Sequence, residues 1–282
     1  MADEPQRDTT LERLTQTDTL PALPYVAHDI LVTTSHNEVD ISEVAASLAR
    51  EPGLAARIIA IANQAYFSRR ETIYALEHAI MRIGLNRVRV LATSLLLNEV
   101  FETGHCPSFQ LQRYWHEALG TAFCAARLAP HTAAEQSRDA AYLGGVLHSI
   151  GLLLLVHAFP QSMNQILMEH EATPERSLAG LTFQALGCSY SEAGALLLRE
   201  WETPEPITTC AGHAHQPRYH GPHADLVATV RFSHEWLQRG FDPIQGGDAP
   251  PIDPQALARI GATCQDEYEA LAAFAQLLSD SG

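Results

Sequence analysis

Apolar residues recur at three- and four-residue intervals along most of this chain, and almost nowhere at every second position. In EPGLAARIIAIANQAYF, Leu54, Ile58, Ile61 and Ala65 fall on one helical face, and Pro52 suits a first turn. In DISEVAASLAR, Asp40 and Glu43 have the spacing of a capping box. Val88, Leu91 and Leu95 form a stripe in NRVRVLATSLLLNEVF, which Gly84 separates from ALEHAIMRIG. A helix is also expected from about Tyr25, once the prolines of TLPALPYVAHDILVTT are passed. Beyond the break at GHCPS the same periodicity returns in FQLQRYWHEALGTAFCAARLA, SRDAAYLGGVLHSIGLLLLVHAF, YSEAGALLLREW and ADLVATVRFSHEWLQRG. No sustained alternation rich in Val, Ile and Thr occurs, so the pattern predicts an all-α, multi-helical fold.

The punctuation divides this helical chain. Residues 1–18 are polar and are expected to be disordered. Residues 19–240 form the main domain, an N-terminal helical bundle (19–104) packed on a second helical subdomain (108–240), with the boundary near 103–108. FDPIQGGDAPPIDP is a Gly- and Pro-rich loop over 241–253, and an amphipathic helix follows over 254–282.

Composition narrows the partners. The formal net charge is −15 over 282 residues, so the field of the whole chain repels nucleic acid and anionic membranes. Every basic residue other than histidine is Arg. The five cysteines form no C-x-x-C pair and are odd in number, which points to a reducing, cytoplasmic setting and away from disulfides. MADEPQRDTT lacks the apolar core of a signal peptide, and the apolar run from Ile150 to Ala158 is too short to span a bilayer.

The ordered motifs LPALPYVAHDIL, EPGLAARIIAIANQAYF, AIMRIGLNRVRVLATSLLL, YWHEALGTAFCAARLA, AAYLGGVLHSIGLLLL and EAGALLLREW resemble the HDOD domain, the HD-related output domain of bacterial signalling proteins. The likeness covers roughly residues 18–240. It implies an N-terminal helical bundle packed on a subdomain related to HD phosphohydrolases, and a signalling role exercised through protein contact. Hydrolytic relatives hold metal with a His on one helix, an adjacent His-Asp pair on a second and an Asp on a later one.

This chain departs from that ligand set. His148 is followed by Ser149, a neutral hydroxyl where the resemblance calls for an anionic carboxylate. Glu117 takes the first His position, with His116 about 100° away around the helix. Ser191 stands where a related His is expected, and Ser233, with His234 and Glu235 beyond it, falls near the last Asp. These positions read as a degenerate site with no catalytic residue and no cofactor; a metal, if any, would use Glu117, His148 and His213. His148 itself reads as a core histidine with one hydrogen bond. In GHAHQPRYHGPH, His213, His215, His220 and His223 read as exposed loop histidines, because positions i and i+2 share no helix face and the prolines interrupt regular structure.

Basic charge gathers between Arg50 and Arg89, against the acidity of the whole. Arg82, Arg87 and Arg89, around a helix start near Asn86, are candidate docking residues for an acidic partner or an anion. Tyr66, Phe67, Tyr74 and Trp115 read as core or interface aromatics. Together these features favour a non-catalytic regulatory module that contacts other signalling proteins, with homo-oligomer formation open. A diverged metal-dependent phosphodiesterase acting on nucleotides or cyclic dinucleotides, and a nucleotide sensor without hydrolysis, are the alternatives.

Overall fold

The structure, a computed structural model, describes residues 10–11, 14, 20–23, 41–63, 72–132, 138–242 and 252–279. Among these residues there is no strand. The all-α expectation is met. The expected helix near Tyr25, most of the polar N-terminus and most of the 241–253 loop lie outside the described residues, as do Tyr66 and Phe67.

The first half comprises α1 (Ile41–Leu48), α2 (Pro52–Ala62), α3 (Leu76–Ile83) and α4 (Leu85–Val100). Pro52 opens α2, where its missing N–H costs nothing. Gly84 separates α3 from α4 at φ 98°, a backbone conformation that disfavours any side chain. The predicted stripes are buried: Leu54, Ile58 and Ile61 on α2, and Val88, Leu91 and Leu95 on α4. Tyr74 is a correction. It precedes α3 and is 85% exposed, outside any core. Trp115 is fully buried, and its indole donates to Asn98 Oδ1 at 2.6 Å, so its one polar atom is satisfied inside.

The second half follows with α5 (Leu111–Leu128), α6 (Arg138–Leu147), α7 (Ile150–Ala158), α8 (Pro160–Ala172), α9 (Leu178–Leu186), α10 (Tyr190–Glu200), α11 (Glu205–His213), α12 (Ala224–Gln238) and α13 (Pro254–Ser279). Ser189 and Glu192 form a complete capping box at the start of α10. Gly187 closes α9 in the left-handed conformation. The loop at 101–110 separates the two halves along the chain. They nevertheless share one hydrophobic core, which includes Leu14, Ile80, Leu97, Trp115, Leu154 and Leu198.

Helix α13 begins at Pro254, where the amphipathic pattern predicts it, and packs along α5. Its seat is a smaller cluster of Cys124, Leu128, Phe232, Trp236, Leu237 and Cys264. The Arg138–Ala158 stretch, α6 and α7 almost end to end, is long and apolar enough to cross a membrane, but 83% of its apolar window is buried within the protein.

Candidate functional site

His148 and Ser149 form the turn between α6 and α7, and two glycines fix that turn in place. A Cβ on Gly145 would lie 2.4 Å from Ala122 Cα on α5. A Cβ on Gly151 would lie 1.8 Å from the carbonyl oxygen of Tyr190 on α10. The bare backbone on either side of His148 thus lets α5 and α10 approach the turn closely, and His148 is left with 1% of its surface exposed.

His148 Nδ1 donates to the carbonyl oxygen of Gly145 at 2.6 Å. A carbonyl only accepts, so Nδ1 carries the proton, and in the neutral ring Nε2 presents a lone pair. That Nε2 is buried without a partner. Two more imidazoles stand beside it. The His148 and His234 ring centres are 4.9 Å apart, His148 and His215 5.2 Å, and His215 and His234 5.2 Å. His215 Nε2 and His234 Nδ1 are likewise buried without partners. Three histidines therefore close a nearly equilateral triangle, each with one orphaned nitrogen.

Burial pushes all three below the ordinary histidine range. For His148 burial is the main cause, and the neighbouring His234 and His215 add to it. Burial, with His234 beside it, brings His215 down to about 3. Burial also lowers His234, although the Glu117 carboxylate works in the opposite direction. The imidazoles are consequently neutral at pH 7.

The triangle opens into a cavity of about 350 Å³ lined by residues from several helices, Glu117, Tyr114 and Arg113 of α5 and Tyr190 of α10 among them. Among the described residues Glu117 is the one carboxylate that lines it, and Arg113 Nε donates to Glu117 Oε1 at 2.8 Å. Tyr190 packs edge-on against His215, with ring centres 5.1 Å apart.

Of the positions named from sequence, Glu117, His148 and Ser149 meet in this cavity. Ser191 and Ser233 do not line it. Ser191 is buried, and Ser233 donates to the carbonyl of Thr229 at 2.7 Å from the packed face of α12. The neighbouring His234, about 100° around the helix, is the residue that reaches the cavity. His213 is a second correction. It ends α11, stacks on Tyr219 with ring centres 4.2 Å apart and bonds to Gln216. His215, two residues on and past the helix end, is half-buried, with its Nε2 turned into the triangle rather than exposed in a loop. His220 and His223 are exposed, as expected.

The arginine patch also differs from the expected docking surface. Arg87 pairs with Glu267 of α13 at 3.1 Å and lies over the Phe123 ring. Arg127 joins the same carboxylate at 2.5 and 3.1 Å. Arg87 therefore fastens α13 to the body of the protein. Arg82 contacts the Ala62 carbonyl at 3.4 Å, and the Arg89 side chain lies outside the described residues. The helix starts at Leu85, one residue before the expected Asn86.

The pair of metal ions implied by the HD fold does not fit these residues. A two-metal site needs anionic ligands to bridge and charge-balance the ions. Here a hydroxyl stands beside His148, and the lining carboxylate is already paired with Arg113. A single ion that prefers nitrogen donors is a different case, because three lone-pair nitrogens are present and unused.

The family model for the HDOD domain matches residues 20–217. A protein of Treponema pallidum (strain Nichols) without an assigned function is 24% identical over 220 residues, which cover 77% of this chain and 42% of that protein. Among solved structures, a protein of Marinobacter aquaeolei VT8 proposed to act in signal transduction superposes with a TM-score of 0.82 at 23% identity, covering 97% of this chain and 65% of that one. An HDOD domain protein of unknown function from Geobacter sulfurreducens gives 0.74 at 21% identity, covering 95% and 97%. A protein of Shewanella amazonensis SB2B proposed to be a phosphohydrolase gives 0.68 at 20% identity, covering 96% and 97%. The chain thus spans less than half of the Treponema relative and about two thirds of the Marinobacter one.

Proposed function

The chain belongs to the HDOD domain family, and from that premise we propose that it is a non-catalytic regulatory module that works by contact with other signalling proteins. The observation that carries this reading is the chemistry of the cavity. Three neutral imidazoles and one arginine-paired glutamate occupy the ground where hydrolysis would require several metal-binding carboxylates. Among the described lining residues, a phosphodiester entering the cavity would meet no carboxylate free of an arginine to bridge a metal pair. The likeness to a Marinobacter protein proposed to act in signal transduction supports the same reading, as does the net charge of −15, which disfavours nucleic-acid partners.

The test is a turnover assay on the full chain loaded in turn with manganese, iron, nickel and zinc. The substrates are cyclic dinucleotides, nucleoside phosphates and a chromogenic phosphodiester. The expected result is no hydrolysis above the metal-only control. Turnover that His148→Ala abolishes would overturn the reading.

A further inference from the structure

We infer that His148, His215 and His234 together form a binding site for a single late first-row transition ion, with zinc the best-matched occupant. The proposal stands on geometry. An ion held at ~2.0–2.1 Å by three imidazole nitrogens in tetrahedral directions sets the ring centres roughly 5.2 Å apart. The observed separations are 4.9, 5.2 and 5.2 Å. Ordinary ring pairs such as Tyr190 and His215 share this spacing, but in the triangle three rings each leave a nitrogen unpaired in the interior, where an unmet polar atom costs about 1–3 kcal/mol.

His148 carries a further mark of a ligand. Its Nδ1–H is tied to a backbone carbonyl, an arrangement that fixes the tautomer and turns Nε2 into the donor. As placed, no three His, Cys, Asp or Glu side chains among the described residues could hold a metal ion, so the site forms only as the ion binds and the rings reorient. The His215 and His234 rings turn about their Cβ–Cγ bonds, a broad and soft torsion, while His148 keeps its bond to the Gly145 carbonyl. The donor set is all nitrogen and mononuclear, which separates it from the carboxylate-rich metal pair of the hydrolytic fold. Imidazole donors and tetrahedral spacing both favour zinc over magnesium or calcium.

The site does not depend on the absence of catalysis. A zinc-loaded protein that hydrolysed phosphodiesters would sink the regulatory reading and leave the site standing. The direct experiment strips the full chain with a chelator, then titrates zinc chloride against a chromophoric zinc indicator. Wild type should take up one equivalent in competition with the indicator. His148→Ala, His215→Ala and His234→Ala should each bind more than about 100-fold more weakly, beyond the 10–100-fold typical of losing a mere supporting residue. His213→Ala and His223→Ala should match wild type. Circular dichroism establishes that each variant folds, and His215→Cys, which keeps a zinc ligand, should retain one equivalent. Cobalt(II) supplies an independent reading on wild type alone: intense visible bands of tetrahedral character are expected. Failure of wild type to compete with the indicator, weak octahedral cobalt bands, or equal loss in His213→Ala would overturn the inference.

Discussion

Two polar clusters lie on either side of helix α5, and they are opposites. Toward α13, Arg127 and the nearby Arg87 converge on Glu267, while His116 stacks on Tyr268 with ring centres 3.8 Å apart and bonds to its carbonyl oxygen. Two arginines share one carboxylate there, and each has its partner within the chain. Toward the cavity, three histidines crowd together with one nitrogen each unmet. Buried polar groups are almost always satisfied, so a satisfied cluster is explained by the fold it holds together. An unsatisfied one marks a place where a water or a ligand completes what the folded chain does not supply. The first cluster reads as a fastening, and the second as a receptor.

That contrast can be broken first at the frame of the triangle. Gly151→Ala forces a methyl into the Tyr190 carbonyl. It should cost about 3 kcal/mol, by overpacking against backbone that cannot yield. A urea titration followed by circular dichroism would measure it, and an unchanged midpoint would mean the close crossing of α7 and α10 is wrong.

Acid should separate the two clusters next. The unfolded imidazole titrates near 6.5, whereas the folded value for His215 is about 3 and the folded values for His148 and His234 are also lowered. Between those limits the unfolded chain binds protons that the folded chain refuses. Stability from this source is therefore intact above about pH 6.5 and falls as pH drops toward 3. For one imidazole like His215 the loss reaches about 2 kcal/mol at pH 5. Chemical denaturation across that range in the presence of a chelator would show it, and His215→Asn should flatten the slope. An equal slope in His215→Asn would show that the acid sensitivity arises elsewhere.

A smaller effect is expected on the other side of α5. Glu267→Gln leaves Arg87 and Arg127 without their carboxylate, but both arginines are more than 30% exposed and water screens part of the loss. About 1 kcal/mol is expected by thermal or chemical melting, with zinc uptake unchanged. Linked loss of zinc binding would mean the two clusters are not independent. Smallest of all is His213→Ala, which should stay within about 0.5 kcal/mol of wild type. A large destabilisation there would restore His213 to importance.

The helical periodicity carried the fold, because burial of one face imposes the same spacing on every amphipathic helix. The stripes on α2 and α4 and the start of α13 at Pro254 follow from it directly. The cavity was half legible. Glu117 and His148 were readable from motif order, yet His215 and His234 each lay within two residues of the position chosen. For His234 a signal was present: Leu226, Val230, Ser233 and Leu237 recur at helical spacing and are buried, which assigns Ser233 to the packed stripe and leaves its neighbour at the edge. For His215 there was none. It follows the end of α11, where periodicity stops constraining direction, and only the tertiary path of the chain turns its ring inward. The roles of Gly145 and Gly151 were also invisible, since close approach is a property of the partner helix rather than of the glycine.

The most direct test of the contrast is crystallographic. Crystals grown with one equivalent of zinc, with data collected on both sides of the zinc absorption edge, should show a single strong anomalous peak at ~2.0–2.1 Å from nitrogens of His148, His215 and His234, and none at Glu267. No peak inside the triangle, or peaks confined to surface histidines such as His213 and His223, would contradict the account.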